Sequence, residues 1–238
     1  SNQGLPLVAI PTTSGTGSEA THFAVVYIGT KKYSFAHEYV LPNYAIIDPR
    51  LSYSNPSYVK ACSALDAFSQ AIESLWAVGS SDESRQYSRK AIKLIIDSIE
   101  LAVIKNDIEA MNNMAIAANF AGKAINISKT TAAHAISYPI TKYLNIPHGH
   151  AVALTLGNFF VINSKYSTNH LNDKRGVVYF EKIIEEINGF FDCSDSGMTC
   201  IKWYQLMENL SLENDLKSIF RKASIEFSSI SNDINLER

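Results

Sequence analysis

Cysteine is scarce in this sequence of 238 residues. Its three copies, Cys62, Cys193 and Cys200, are odd in number and have no CxxC spacing. A disulfide framework needs paired cysteines, so we expect free thiols and a reducing, cytoplasmic setting.

Basic blocks and long apolar runs are also missing. The 21 lysines and arginines are scattered among 23 acidic residues, which predicts neither nucleic acid nor an anionic membrane as a partner. The apolar run over 151–162 is interrupted by Thr155, Gly157 and Asn158. It falls short of the ~20 residues that cross a bilayer, and we recognise no signal peptide. The hydrophobic residues, 46% of the chain, are enough for a sizeable globular core.

The first fifty residues are rich in strand-like segments. The sequence LPLVAI, residues 5–10, predicts a fully buried strand almost at the first residue, so we expect that a preceding part of the protein is absent from this chain. Further strands are predicted over 23–28, 33–35 and 44–47, with a hairpin turn at 29–32. The loop TTSGTGSEAT, residues 12–21, combines hydroxyls with two glycines. It could approach a phosphate or ribose closely, although a plain loop after a strand has the same composition.

From Pro56 onwards, apolar residues recur at helical spacing. Asn55 is predicted to cap the first helix with Pro56 as its first residue, and Gly122 is predicted to allow close helix packing. The predicted helices cover 56–77, 83–104, 107–126, 130–144, 149–162, 177–187, 198–207 and 212–225, with a polar loop at 167–176. The predicted fold class is therefore mainly α, with a small β-rich part, residues 1–50, before an all-helical domain, residues 51–238.

Two features indicate a metal site. Asp66 and Gln70 are four residues apart and share one helix face. A carboxylate on such an apolar helix must be paired or bind a cation, although a neighbouring helix end could also be its partner. The segment 131–156 contains His134, His148 and His150. Asp66, His134 and His148, with Gln70, form a mixed nitrogen and oxygen set that suits Fe(II) or Zn(II) with one position open for substrate.

The sequence resembles the iron-containing (group III) alcohol dehydrogenase family, which has a dehydroquinate synthase-like fold. The matching motifs are IPTTSGTGSEAT, the Asp48-Pro49 pair, LDAFSQAIES and HAISYPITKYLNIPHGHAVAL, in the family's order. The resemblance implies that residues 1–50 end a nucleotide-binding α/β domain and that residues 51–238 form the metal-binding catalytic domain. It implies the metal ligands Asp66, Gln70, His134 and His148, where Gln70 replaces the usual histidine.

The resemblance also implies a reaction and a cofactor. The expected reaction is the metal-dependent, NAD(H)- or NADP(H)-linked interconversion of a short-chain aldehyde and its primary alcohol. Tyr138 stands where the family often has a histidine for proton transfer, which leaves Tyr138, His150 or water as candidates. Cofactor contacts are implied for Thr12, Thr13, Thr16 and Lys32, although Lys32 could equally be a solvated turn lysine.

The pattern Asp-x-x-x-Gln followed by Trp76 is similar to a branch related to phosphonoacetaldehyde reductases, which form 2-hydroxyethylphosphonate. Lys129 could meet a phosphonate oxygen as a point charge, or could be an exposed lysine at a helix start. Two other functions stay open: a dehydroquinate-synthase-like lyase, disfavoured by the TTSGTGSE and HGH motifs, and a degenerate non-catalytic helical domain, favoured by Gln70. We expect a small aldehyde or alcohol as partner, a homodimer, and no activity from this chain alone.

Overall fold

A computed structural model gives the structure of the chain and describes residues 4–28, 31–165, 171–225 and 228. The strands are β1 (Val8–Ala9), β2 (Phe23–Ile28), β3 (Lys31–Ala36) and β4 (Tyr44–Ala45). The helices are α1 (Ser57–Trp76), α2 (Asp82–Glu100), α3 (Ile108–Ser128), α4 (Ala132–Leu144), α5 (His148–Ser164), α6 (Val177–Phe190), α7 (Ser196–Asn209) and α8 (Leu216–Ala223). The mainly α fold class is thereby confirmed. None of the helices among these residues is long and apolar enough to span a membrane.

The strands form two small ribbons. β1 pairs in parallel with β4, and β2 forms an antiparallel hairpin with β3 in which Phe23 lies opposite Ala36. The prediction of a fully buried strand over residues 5–10 is wrong, because only Val8–Ala9 is a strand and Leu5 is 93% exposed. A two-stranded ribbon is too small to bury its own faces. The hairpin turn predicted at residues 29–32 is too long, because Lys31 and Lys32 already belong to β3. Residues 29–30 lie outside the described residues.

Helix α1 is the centre of the helical part. It packs against α2, α3 and α5, and its side chains Leu65, Phe68 and Ile72 are fully buried. Such a helix, surrounded on most sides, must be apolar around most of its circumference. Asn55 does not cap it as predicted, because its side-chain amide donates instead to the Thr12 carbonyl at 2.9 Å; Pro56 occupies the capping position.

The loop over residues 12–21 lies directly on α3. Gly17 has a φ of +60°, and a Cβ on Gly122 would lie 2.6 Å from the Gly17 carbonyl oxygen. The close approach predicted for Gly122 is therefore made by this loop and not by another helix. The buried Glu19 accepts a hydrogen bond from Asn119 of α3 at 2.9 Å. These contacts hold the loop next to the polar face of α1.

Arg175 links the segment before α6 to the end of α1 by hydrogen bonds. Arg175 donates to the carbonyls of Ala77 at 2.9 Å and Ser80 at 2.8 Å, and it pairs with the buried Asp173 at 2.6 Å. The carbonyls at the end of a helix have no partner within the helix. Arg175 places a cation on the carbonyl of Ala77, the C-cap of α1, and a cation is the charge that a helix C-terminus favours.

Candidate functional site

One face of α1 carries three polar side chains into the interior. Asp66, Gln70 and Glu73 recur at helical spacing and are 4%, 4% and 0% exposed. The prediction that Asp66 and Gln70 share a face is confirmed, since both line the same cavity. Burying such groups costs several kcal/mol unless they find partners or a ligand, so this face must be matched by groups from other elements.

The matching groups come from α4 and α5. His134 lies in the first turn of α4 and His148 is the first residue of α5. Between them the chain reverses at Asn145, which has a left-handed φ of +52°. The turn brings the two imidazole rings together, with centroids 5.4 Å apart.

Gly149 allows α5 to lie against α1. A Cβ at this position would lie 2.0 Å from the carbonyl oxygen of Cys62 and 2.8 Å from Cβ of Asp66. No other amino acid fits at this distance, because each would add the missing carbon. The close approach places Nε2 of His148 3.9 Å from Oδ1 of Asp66.

The ligand atoms of Asp66, His134 and His148 all lie within 4.8 Å of one another. Nε2 of His134 is 3.4 Å from Oδ1 of Asp66. Two ligands that each lie ~2.1 Å from a tetrahedral metal ion are roughly 3.4 Å apart, so this separation fits a shared ion. A set of two imidazoles and one carboxylate suits a borderline divalent metal such as Fe(II) or Zn(II).

Unpaired atoms provide a second test of this fit. Asp66 Oδ1, Gln70 Oε1 and His134 Nε2 are all buried without a hydrogen-bond partner. The amide nitrogen of Gln70 donates to the Thr16 carbonyl at 3.3 Å, which leaves Oε1 as an acceptor. Buried polar atoms are almost always paired, and a cation bound between them would satisfy two oxygens and an imidazole nitrogen together.

The charges at the site are strongly coupled. Burial alone would raise the pKa of Asp66, but His134 and His148 keep it below its ordinary value. Burial would likewise lower the pKa of His134, but the carboxylates of Glu73 and Asp66 raise it to about 10. Burial would also raise the pKa of Glu73, but His134 and Thr131 lower it. Both acids are therefore ionised at neutral pH, the form in which a carboxylate binds a metal, whereas His134 holds a proton that a bound metal ion would displace.

Glu73 is a site residue that the sequence analysis missed. Its carboxylate contacts Nδ1 of His134 and accepts hydrogen bonds from the Thr131 backbone N–H at 3.0 Å and hydroxyl at 2.6 Å. Its spacing, seven residues after Asp66 and three after Gln70, was the available signal, because these positions share a helix face.

A cavity of about 840 Å³ opens beside these residues. It lies between the helices and the β2–β3 hairpin, which contributes Phe23, Val25 and Phe35. Lys129 also lines it, with an unusual backbone conformation of φ +64° and ψ 177° at the end of α3. The cavity combines an apolar wall with a cation and the candidate metal ligands, as small-molecule sites often do.

The two candidates for proton transfer lie in different places. Tyr138 lines the cavity, and its ring is stacked on His148 with centroids 5.4 Å apart. His150 is not among the residues that line it. Its Nε2–H donates to the Glu213 carbonyl at 2.7 Å, and its Nδ1 lies 3.3 Å from the Tyr58 hydroxyl. Burial lowers the pKa of His150, as expected for a neutral imidazole packed in the fold.

The four predicted cofactor residues are also dispersed. Thr16 lines the main cavity. Thr13 borders a small separate cleft together with Ser14 and Glu19, and Thr12 is exposed. The side chain of Lys32 lies outside the described part of the structure.

Comparison with known proteins agrees with this geometry. Residues 60–223 match the family model described as Fe-containing alcohol dehydrogenase family, C-terminal, and residues 1–49 match the model described as iron-containing alcohol dehydrogenase. Long-chain-alcohol dehydrogenase 1 of Geobacillus thermodenitrificans is 38% identical over 65% of this chain and 39% of its own length. Phosphonoacetaldehyde reductase of Streptomyces viridochromogenes is 32% identical over 76% of this chain and 47% of its own length.

Solved structures give the same picture. Sulfoacetaldehyde reductase from Bifidobacterium kashiwanohense, solved in complex with NAD+, superposes with a TM-score of 0.82 at 30% identity. The alignment covers 98% of this chain and 58% of that protein. The chain thus spans roughly half the length of the relatives it matches. With two family models matched in order along its length, the chain belongs to the iron-containing alcohol dehydrogenase family.

Proposed function

We propose that this chain forms the metal-binding part of a metal-dependent, NAD(P)H-linked oxidoreductase that interconverts a short-chain aldehyde and its primary alcohol. The observation that carries the proposal is the convergence of three unpaired buried atoms, Asp66 Oδ1, Gln70 Oε1 and His134 Nε2, beside His148 at one cavity. Membership of the family supports the reaction class. The division into a cofactor part, residues 1–50, and a catalytic part, residues 51–238, belongs to the same proposal.

Asp66, Gln70, His134 and His148 are the proposed ligands of Fe(II) or Zn(II). When bound, the metal supplies Lewis-acid polarisation of a carbonyl oxygen and the nicotinamide supplies hydride. Asp66 contributes the negative charge that retains the cation. Gln70 contributes a neutral amide oxygen, which the Thr16 carbonyl orients through the amide nitrogen.

The residues around the ligands bind the reactants and move the proton. Tyr138 borders the cavity beside His148, and its hydroxyl can donate or accept a hydrogen bond. We propose that Tyr138, directly or through a water molecule, exchanges the proton of the alcohol. We propose that Thr16, which lines the cavity, contacts the cofactor, while contacts from Thr12, Thr13 and Lys32 to its phosphates or ribose need the rest of the cofactor domain.

For the substrate, we propose a short aldehyde that carries an anionic group, such as phosphonoacetaldehyde. Lys129 lines the same cavity as the ligands, and an ammonium group binds a phosphonate or sulfonate oxygen as a point charge. The relatives named for phosphonoacetaldehyde and sulfoacetaldehyde support this choice. The product from phosphonoacetaldehyde would be 2-hydroxyethylphosphonate.

The direct test is an assay of the protein at its natural length. The purified protein is loaded with Fe(II) or Zn(II), and oxidation of NADH and NADPH is followed with phosphonoacetaldehyde, sulfoacetaldehyde and propanal. We expect turnover with at least one aldehyde and loss of turnover after chelation. Absence of stoichiometric metal after reconstitution would support the degenerate, non-catalytic alternative and overturn the proposal.

The anionic substrate has a test of its own. Replacing Lys129 with alanine should raise KM for phosphonoacetaldehyde about tenfold or more, since a hydrogen bond to a charged group contributes about 1.5–3 kcal/mol. KM for propanal, which has no anionic group, should not change. Lys123→Ala, which removes an exposed lysine from the same helix, is the control. An unchanged KM for phosphonoacetaldehyde in Lys129→Ala would exclude this role.

Two further properties are proposed for the whole protein. A homodimer is expected, and size-exclusion chromatography with light scattering measures it directly. A cytoplasmic location is proposed because the three cysteines, Cys62, Cys193 and Cys200, are all free, as is usual in a reducing compartment.

A further inference from the structure

The carboxylate of Glu73 joins two elements that build the site. One oxygen contacts Nδ1 of His134. The other accepts hydrogen bonds from the Thr131 N–H at 3.0 Å, the Thr131 hydroxyl at 2.6 Å and the His134 N–H at 3.5 Å. Glu73 is 0% exposed, so water does not compete for these bonds. A single side chain of α1 thus binds both the first turn of α4 and the imidazole that projects from it.

We propose that Glu73 is the positioning residue that makes Nε2 of His134 the metal-binding atom. This inference rests on the proposed metal site. With both carboxylates beside it, His134 carries two ring protons, and one must leave when a metal ion binds. Because Nδ1 faces the carboxylate of Glu73, the remaining proton is held on Nδ1 and the lone pair is left on Nε2. That lone pair faces Asp66 Oδ1 at 3.4 Å. Metal-binding histidines commonly donate a hydrogen bond from their second ring N–H to a carboxylate, which sets both the tautomer and the orientation of the ring.

The charges of the site give Glu73 a second role. Asp66 and Glu73 are its two buried anions, whereas Gln70 and the neutral forms of His134 and His148 carry no charge. A divalent cation would bring this group to zero net charge, which a buried site requires. Without Glu73 the same group with its cation would carry a buried positive charge. Glu73 therefore favours retention of a divalent ion although it does not touch the ion.

Trp76 extends the chain of contacts away from the metal. Its Nε1–H donates to the Thr131 hydroxyl at 2.9 Å, so the hydroxyl proton is directed to Glu73. The order Trp76, Thr131, Glu73, His134 is continuous and buried or half-buried throughout. Hydrogen bonds in such a chain strengthen one another, so the chain holds its geometry better than isolated pairs do.

The test compares metal binding by the wild-type protein and Glu73→Gln. Glutamine has nearly the same shape, but only one of its two terminal atoms is an oxygen. It can therefore accept hydrogen bonds on the His134 side or on the Thr131 side, but not on both. We expect Zn(II) affinity, measured by competition titration, to fall ~10- to 100-fold. The visible spectrum of the Co(II)-loaded variant should also change, because the spectrum reports ligand geometry. Thr131→Val is the control: it removes the hydroxyl contact and leaves the carboxylate facing His134, so its metal affinity should stay near the wild-type value.

Each outcome has a separate meaning. No metal binding by the wild-type protein would overturn the proposed function and this inference with it. Wild-type binding with an unchanged Glu73→Gln affinity, or an equal loss in Thr131→Val, would overturn only the inference. If Glu73→Gln does not fold, nitrogen NMR of the Zn(II)-loaded wild-type protein decides. Metal on Nε2 of His134 with a proton on Nδ1 supports the inference, and metal on Nδ1 refutes it.

Discussion

Substitution of Gly149 by alanine should damage both the fold and the candidate metal site. The added Cβ would lie 2.0 Å from the Cys62 carbonyl oxygen, whereas ordinary contacts begin near 3.4 Å. The neighbour is backbone of the central helix α1 and cannot rotate away. Helix α5 must therefore move by about 1.4 Å, which carries His148 away from Asp66, since interiors are too densely packed to absorb such a change.

The size of the effect follows from two opposing terms. Overpacking a dense interior costs about 1–3 kcal/mol, sometimes more, and alanine regains up to about 1 kcal/mol through its higher helix propensity. Because the 2.0 Å contact is with backbone, we take the upper end of the cost, about 3 kcal/mol. The net loss is then about 2 kcal/mol, or a Tm lower by about 4–8 °C for a chain of this size. Metal–ligand distances tolerate only about 0.2 Å, so Zn(II) affinity should fall at least about tenfold.

Gly189→Ala provides the matched control. Gly189 also lies within a helix, but a Cβ built on it meets nothing within 4 Å. That variant should gain stability, by up to about 1 kcal/mol, and keep the wild-type metal affinity. Thermal melts and Zn(II) titrations of the three proteins measure both effects. A Gly149→Ala protein that melts and binds metal like the wild type would refute the argument.

Three further predictions concern stability. Arg175→Ala should lower the free energy of unfolding by about 3 kcal/mol, because it leaves the carboxylate of Asp173, 3% exposed, without its cation; chemical denaturation measures this. Hydrogen bonds from Arg175 lower the pKa of Asp173 in the folded state. The pair therefore stabilises the fold fully above the unfolded-state pKa of about 3.9. This stabilisation is lost as the pH falls through the lower folded-state pKa. The stability difference between wild type and Arg175→Ala should therefore shrink below about pH 4, and a constant difference would contradict the assignment. Lys129→Gly should raise the free energy of unfolding by about 1 kcal/mol, as measured by a thermal melt, because the φ of +64° and ψ of 177° at Lys129 are nearly reserved for glycine. Lys129→Ala should show no such gain.

Local patterns were sufficient for much of the fold. The helical repeat of apolar residues predicted all eight α-helices of the described residues to within a few residues at most ends, because burial of one helix face requires that repeat. The same rule correctly placed Asp66 and Gln70 on one face. The prediction of a buried strand over residues 5–10 failed, since an apolar run does not reveal whether another layer covers it. Gly122 was likewise assigned to helix packing, although its actual neighbour is Gly17.

The candidate ligands could be predicted from the sequence because each stands in a motif, but the residues that support them could not. Glu73 has the correct spacing on α1, yet its role depends on which helix start faces it. Its partners, Thr131 and His134, lie 58 and 61 positions later in the chain. Conversely, His150 stands in the same short motif as His148 but packs against Tyr58 and Glu213.

The sequence by itself therefore determined the mainly α fold class, the helix faces and the residue types of a candidate site for a divalent metal. These properties depend on periodicity and side-chain chemistry, which are local. Only the tertiary structure decided which of these groups meet: Asp66 with His134 and His148, Glu73 behind His134, and Lys129 and Tyr138 on the cavity wall. Distances between helices are set by close packing, such as that of Gly149 on Cys62, and no pattern along the chain specifies them.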